Sequence, residues 1–121
     1  MPLVRLLAAL LAAVLLSGCG GAGPITQAGD GRLEITLDDF LIRPQNARAR
    51  RGELTVVVTN AGRLGHNFRL RGGGRDPLEV PTLLPGDSDT ASARLPPGSY
   101  RMLCTVANHE QLGMTGRLVV R

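Results

Sequence analysis

SYRMLCTVANHEQLGMTGRLVV, residues 99–120, decides how this chain reads. It opens on a strand-like run, SYRMLCTV, and closes on another, TGRLVV. Between them stand three side chains with affinity for metals, Cys104, His109 and Met114, five positions apart. A strand that ends near Cys104 and resumes after Met114 makes the segment between them a single loop at one end of a sheet. Four residues separate each donor from the next, enough for the chain to bring His109 and then Met114 back to the Cys104 sulfur.

Upstream, the patterning is also that of strands. RLEITLDDFLI (32–42) alternates through Leu33, Ile35 and Leu37, the period of a half-buried strand. LTVVVTN (54–60) is rich in β-branched residues and reads as a central strand. HNFRLR (66–71) and SDTASARL (88–95) are further strands. RPQNARARRGE, AGRLG and RGGGRDP read as turns and loops, and LEVPTLLPGDS as irregular because Pro81 and Pro85 limit any strand. Sixteen Gly and eight Pro argue against a helical bundle. With no Trp, one Tyr and two Phe, the core rests on Leu, Val, Ile and Ala. The expected fold is all-β, an antiparallel Greek-key β-sandwich or barrel of about seven to eight strands, in one domain over residues 32–121.

The first residues belong to export and not to the fold. MPLVRLLAALLAAVLLSGC carries one charge, Arg5, and an apolar run from Leu6 to Leu16 that suits the middle of a secretory signal. The ending Leu16-Ser17-Gly18-Cys19 resembles the lipobox of bacterial lipoproteins, which implies a signal peptide over 1–18 and lipidation of Cys19. Residues 19–31 then read as the lipidated cysteine and a Gly-rich flexible tether, with folded structure beginning near Arg32. Loss of the leader lowers the net charge from +4 to +3. If Cys19 is lipidated, Cys104 has no disulfide partner in an oxidising compartment, so a ligand role becomes its natural use; without lipidation, a Cys19–Cys104 disulfide would exclude that role.

Only two histidines are present, and the second is His66, at the start of a strand after a Gly-containing loop. Two His, one Cys and a weak axial Met form the donor set of a blue-copper electron-transfer site. Zinc rarely takes a thioether. A binuclear copper centre would need a second cysteine in the loop, and an iron–sulfur cluster is excluded by the same count. Taken singly, each residue has a plainer use: Cys104 and Met114 as core packing, either histidine as a hydrogen-bonded or idle surface residue. The basic runs RARR (48–51) and RLRGGGR (69–75) hold no aromatics for base stacking, so no nucleic acid is expected; a solvated face, or one against anionic lipid headgroups, fits them better.

PPGSYRMLCTVANHEQLGMTGRLVV, Pro96 to Val120, resembles the C-terminal copper loop of cupredoxins, the family of plastocyanin, azurin and auracyanin. RPQNARARRGELTVVVTNAGRLGHNF is similar to that family's first half. The resemblance implies His66 and His109 as imidazole ligands, Cys104 as the thiolate and Met114 as the long axial ligand of one mononuclear type 1 copper. It places Asn67 where a side chain ties the two copper loops together. Ala107-Asn108 stands where the family often has Pro-Gly, and a left-handed Asn108 would preserve the turn. Aromatic residues, common around the family's site, are scarce in this chain.

The expected function is that of a monomeric, non-enzymatic carrier of single electrons. It would be exported and lipid-anchored on the extracytoplasmic side of a membrane, periplasmic or at the cell surface. Transient redox proteins would meet it at a small apolar patch of Ala107, Leu112 and Gly113 around His109. Alternatives are a copper storage or delivery protein using the same ligands, and a metal-free cupredoxin-like lipoprotein. A multicopper enzyme would need a His-rich second site, and two histidines cannot supply it.

Overall fold

The computed structural model describes residues 23–121; the leader and Cys19 lie outside the described residues. Ten strands follow in order: β1 (Thr26–Gln27), β2 (Arg32–Asp38), β3 (Leu41–Arg43), β4 (Asn46–Ala49) and β5 (Gly52–Asn60), then β6 (His66–Gly72), β7 (Arg75–Leu83), β8 (Ser88–Leu95), β9 (Gly98–Leu103) and β10 (Thr115–Val120). They form two sheets, β1-β4-β10-β9-β6-β7 and β3-β2-β5-β8. The fold is an all-β sandwich, with its core between the sheets. Every other residue of β5, from Leu54 through Val56 and Val58 to Asn60, faces that core, and so do Leu33, Ile35 and Leu37 of β2. Phe68, Leu70, Met102 and Leu118 meet them from the larger sheet.

Several expectations need correction. The pairing is mixed, not purely antiparallel: β1 with β4, β4 with β10 and β2 with β5 are parallel. Residues 32–42 are not one strand but a hairpin, with Asp38 opposite Leu41 and only Asp39 and Phe40 in the turn. The buried positions shift from odd numbers (33, 35, 37) to an even one (Ile42), which an uninterrupted strand cannot do because its side chains alternate strictly. NARA, read as a turn, is β4, burying Ala47 and Ala49 against β10. LEVPTL is the greater part of β7, burying Leu78, Val80 and Leu83. Its prolines are tolerated because β7 is the free edge of its sheet, where a missing N–H breaks no ladder. Order also begins before Arg32: β1 lies beside β4, and Ala28 N–H donates to Arg48 O at 2.8 Å.

The strands give the sandwich two distinct ends. At one, β2 and β5 finish, β6 starts, β9 finishes and β10 starts. At the other lie the β6–β7 hairpin, whose Gly73 and Gly74 both take positive φ as a two-residue turn of this kind requires, and the Leu95–Gly98 connection. Gly116, early in β10, marks a close approach: a Cβ there would sit 2.8 Å from the Gln45 carbonyl oxygen and 2.7 Å from Met102 Cε. Gly116→Ala is expected to destabilise the fold by about 1–3 kcal/mol through overpacking, read as a lowered urea midpoint.

Candidate metal centre

His66 reaches its place through Asn60. The buried Asn60 amide donates to the carbonyls of Leu64 (2.8 Å) and Leu83 (2.9 Å), and its oxygen accepts Gly62 N–H at 2.9 Å. This folds residues 61–65 tightly and delivers His66 as the first residue of β6. Asp39, in the β2–β3 turn, then accepts from three directions: His66 Nε2 at 2.8 Å, Leu64 N–H at 3.1 Å and Arg63 N–H at 3.0 Å. The His66 bond, followed by the backbone donors, holds the Asp39 carboxyl below its ordinary pKa. Gly62 makes room for the pair, since a Cβ there would lie 2.5 Å from Asp39 Oδ1 and 2.9 Å from His66 Nε2. An ionised carboxylate can only accept, so His66 carries its proton on Nε2 and presents a bare lone pair at Nδ1.

The second segment is the loop between β9 and β10. Leu103 stands opposite Thr115, so the chain leaves and re-enters the sheet at neighbouring positions. Cys104 N–H donates to Met114 O at 3.2 Å, and Met114 N–H to His109 O at 3.1 Å. Inside the loop, His109 N–H bonds to Val106 O and Gly113 N–H to Glu110 O, each at 3.0 Å. The left-handed residue of this turn is Ala107, with φ 44°, and not Asn108 as the sequence suggests. Such a conformation costs a residue with a Cβ about 1–2 kcal/mol. Asn67 couples the two segments: its amide donates to Thr105 Oγ1 and its oxygen accepts Thr105 N–H, both at 2.7 Å.

These restraints bring three donor atoms together in a buried cluster. His66 Nδ1 and His109 Nδ1 are 3.1 Å apart, and Cys104 Sγ lies 4.0 Å and 3.7 Å from them. The point equidistant from all three is about 2.1 Å from each, which is bonding distance for a first-row transition cation with nitrogen and within about 0.2 Å of that for sulfur. The donor set therefore fits such an ion. Both imidazoles turn Nδ1 toward that point, so a cation there would take the two nitrogen lone pairs. Burial, and behind it the neighbouring His66 ring, push the His109 pKa below its ordinary value, keeping the ring neutral. Cys104 is a free, buried thiol.

Met114 is fully buried beside this cluster, joined to Cys104 and His109 through the backbone bonds above. Ala107, Leu112 and Gly113 are exposed around His109, which is itself 6% exposed. Phe40 supplies an aromatic neighbour, its ring edge-on to His109 at 5.3 Å. Sequence reasoning missed Asp39, Phe40, Gly62 and Thr105. The shift of buried positions between Leu37 and Ile42 was the one signal that could have placed a turn at Asp39 and Phe40.

No protein-family model matches the sequence, and no curated protein matches it. Solved structures do match its fold. An auracyanin from the photosynthetic bacterium Roseiflexus castenholzii superposes with a TM-score of 0.72 at 22% identity, over 78% of this chain and 98% of that one. Auracyanin A, a "blue" copper protein of the green thermophilic photosynthetic bacterium Chloroflexus aurantiacus, gives 0.65 at 20% identity, over 75% and 100%. A multicopper oxidase gives 0.58 at 24% identity, but this chain spans only 41% of its length. The chain has the cupredoxin fold, with two histidines and a cysteine gathered at one end of the sandwich.

Two outcomes are expected. Ala107→Gly should raise the thermal midpoint, by relief of about 1 kcal/mol of backbone strain. In the metal-free protein, the lowered His109 pKa means that the unfolded chain binds the proton first as pH falls. Stability is thus full above the ordinary histidine value of 6.5 and declines as pH drops below it. His109→Gln should flatten that limb in urea titrations at pH 7.5 and 5.5, leaving the carboxylate limb at lower pH.

Proposed function

We propose that this chain is a type 1 copper protein that carries single electrons outside the cytoplasm. The observation that carries this reading is the triangle of His66 Nδ1, His109 Nδ1 and Cys104 Sγ, with a common centre about 2.1 Å from each atom. Soft and borderline donors of this kind, with the thioether of a buried Met114 at the same end of the sandwich, would suit copper better than zinc. Copper held there would supply a one-electron Cu(I)/Cu(II) couple. The protein's part is to hold the donors so that they move little between the two oxidation states: Asn60 and Asp39 fix His66, the β9–β10 register fixes Cys104 and Met114, and Asn67 locks the two segments to each other.

Access favours a carrier over an enzyme. His66, Cys104 and Met114 are fully buried, and only the edge of His109, 6% exposed, reaches the surface. Around His109 the exposed Phe40, Leu64, Leu84 and Leu112 form an apolar rim at the same end of the sandwich. Such a rim allows a redox partner to approach closely and leave quickly. Lipidation of Cys19 would keep the carrier at a membrane, on its extracytoplasmic face, as a monomer. Copper storage or delivery would use the same ligands, but a site so fully braced by hydrogen bonds is suited to keeping its ion; rapid loss of copper to a chelator would favour delivery instead.

The test is a visible and paramagnetic-resonance spectrum of the 20–121 fragment after Cu(II) addition with Cys104 reduced. An intense thiolate-to-copper band, absent in Cys104→Ser, is expected; a folded protein that stays colourless overturns the reading. Met114→Leu should keep the colour and raise the reduction potential, because loss of the weak sulfur donor disfavours Cu(II). Voltammetry of the two proteins checks this.

A further inference from the structure

The arginines of this chain are not spread evenly over its surface. Arg48, Arg50 and Arg121 line one shallow cleft, Arg51 and Arg94 a second, and Arg75 and Arg94 a third. Arg51 N–H donates to Arg121 O at 2.7 Å, which joins the first cleft to the second. These six side chains thus form one continuous cap over the end of the sandwich where β4, β8 and β10 finish and β7 begins. None of the six has an ion-pair partner among the described residues, and outside the cap only Arg63 and Arg117 also lack one, since Arg32, Arg43, Arg69, Arg71 and Arg101 are paired. The acids nearby are Asp30, which lines the first cleft, Glu53, opposite Arg94, Glu34, paired with Arg32, and Asp76, next to Arg75 but paired with Arg69 and Arg71.

The opposite end has the opposite sign. Asp38, Asp39, Asp87, Asp89 and Glu110 lie at the metal end, against Arg43, Arg63 and the Arg101 that pairs with Glu110. The seven residues of β6, from His66 at one end to Gly72 at the other, separate the two by about 20 Å. Electrostatic screening at 0.1 M salt acts over about 10 Å, so a charged surface meeting one end hardly senses the other.

We propose that the arginine cap docks on an anionic phospholipid surface and stands the molecule on end, with the metal centre facing away from the bilayer. Guanidinium groups bind phosphate oxygens through paired N–H donors and need no pocket to do so. A protein partner would call for apolar or aromatic anchors as well. Among the described residues only one exposed large apolar side chain reaches the cap, Ile25, which shares a cleft with Arg48 and Arg121; Phe40, Leu64, Leu84 and Leu112 lie at the metal end. A headgroup layer is the partner that broad positive charge with a single apolar side chain at its margin fits. Docking itself is independent of the copper reading. Its consequence, a redox face left open to soluble partners, rests on that reading.

All ten strands and the core lie within residues 23–121, so the 20–121 fragment, which lacks Cys19, is the right material. It should sediment with vesicles of equimolar phosphatidylglycerol and phosphatidylcholine at about 0.1 M salt, where charge is screened over about 10 Å, and neither with phosphatidylcholine alone nor at about 1 M salt. Each arginine near an anionic surface is worth about a fivefold factor in partitioning. Arg51→Glu and Arg75→Glu, at two places in the cap, should each weaken binding at least fivefold with an unchanged melting curve. Arg63→Glu makes the same change in net charge at the metal end and should leave binding within about twofold. Equal loss in all three variants would mean that net charge alone acts, and would overturn the cap. A fragment that ignores anionic vesicles but binds polyglutamate through the same arginines would identify an acidic protein partner and overturn the membrane.

Discussion

The metal centre depends on one register. β9 and β10 pair with Leu103 opposite Thr115, so the chain must leave the sheet at Cys104 and return at Met114. The loop this creates is short and closed by its own backbone bonds, from Cys104 N–H to Met114 O and from Met114 N–H to His109 O. His109 therefore has little freedom beyond the one turn that points it at Cys104. Backbone strain at Ala107 is tolerated because the register on either side leaves the turn no other shape. A slip of one residue would move Leu118 and Val120 from the core to the surface and break the loop together with the core, so the same hydrophobic energy that forms the sheet also positions the ligands.

His66 is held by different means. It belongs to another strand, 38 residues before Cys104, and no local restraint links the two. Asn60 shapes its loop, Asp39 fixes its tautomer and Asn67 binds its strand to the Cys104 segment. Each of these bonds engages atoms other than His66 Nδ1, His109 Nδ1 and Cys104 Sγ, which leaves those three for an ion. Bracing of ligands by their outer partners is the usual way in which proteins orient and tune a metal site. Asp39 adds negative charge behind one imidazole, which strengthens its lone pair.

Charge and apolar surface are divided between the two ends as well. Acidic residues and four of the five exposed large apolar side chains share the metal end, while six of the eight arginines without an ion pair among the described residues share the other. The two ends suit two different encounters, a brief one over His109 and a diffuse electrostatic one over the cap. Strands that run from one end to the other keep these surfaces about 20 Å apart.

The sequence by itself determined the all-β fold, six of the seven longer strands and the inventory of soft donors, because alternation and residue chemistry are local properties. His66, Cys104, His109 and Met114 could be singled out since the chain offers no other histidine and no other cysteine in its folded part. Tertiary structure decided what locality cannot: the parallel pairings, the edge position that lets β7 carry prolines, and the turn that brings Asp39 to His66 and Phe40 to His109. It also decided which arginines lie together. Runs such as RARR mark charge along the chain, but only the arrangement of strand ends sets Arg51 beside Arg94, and Arg94 beside Arg75, on one surface.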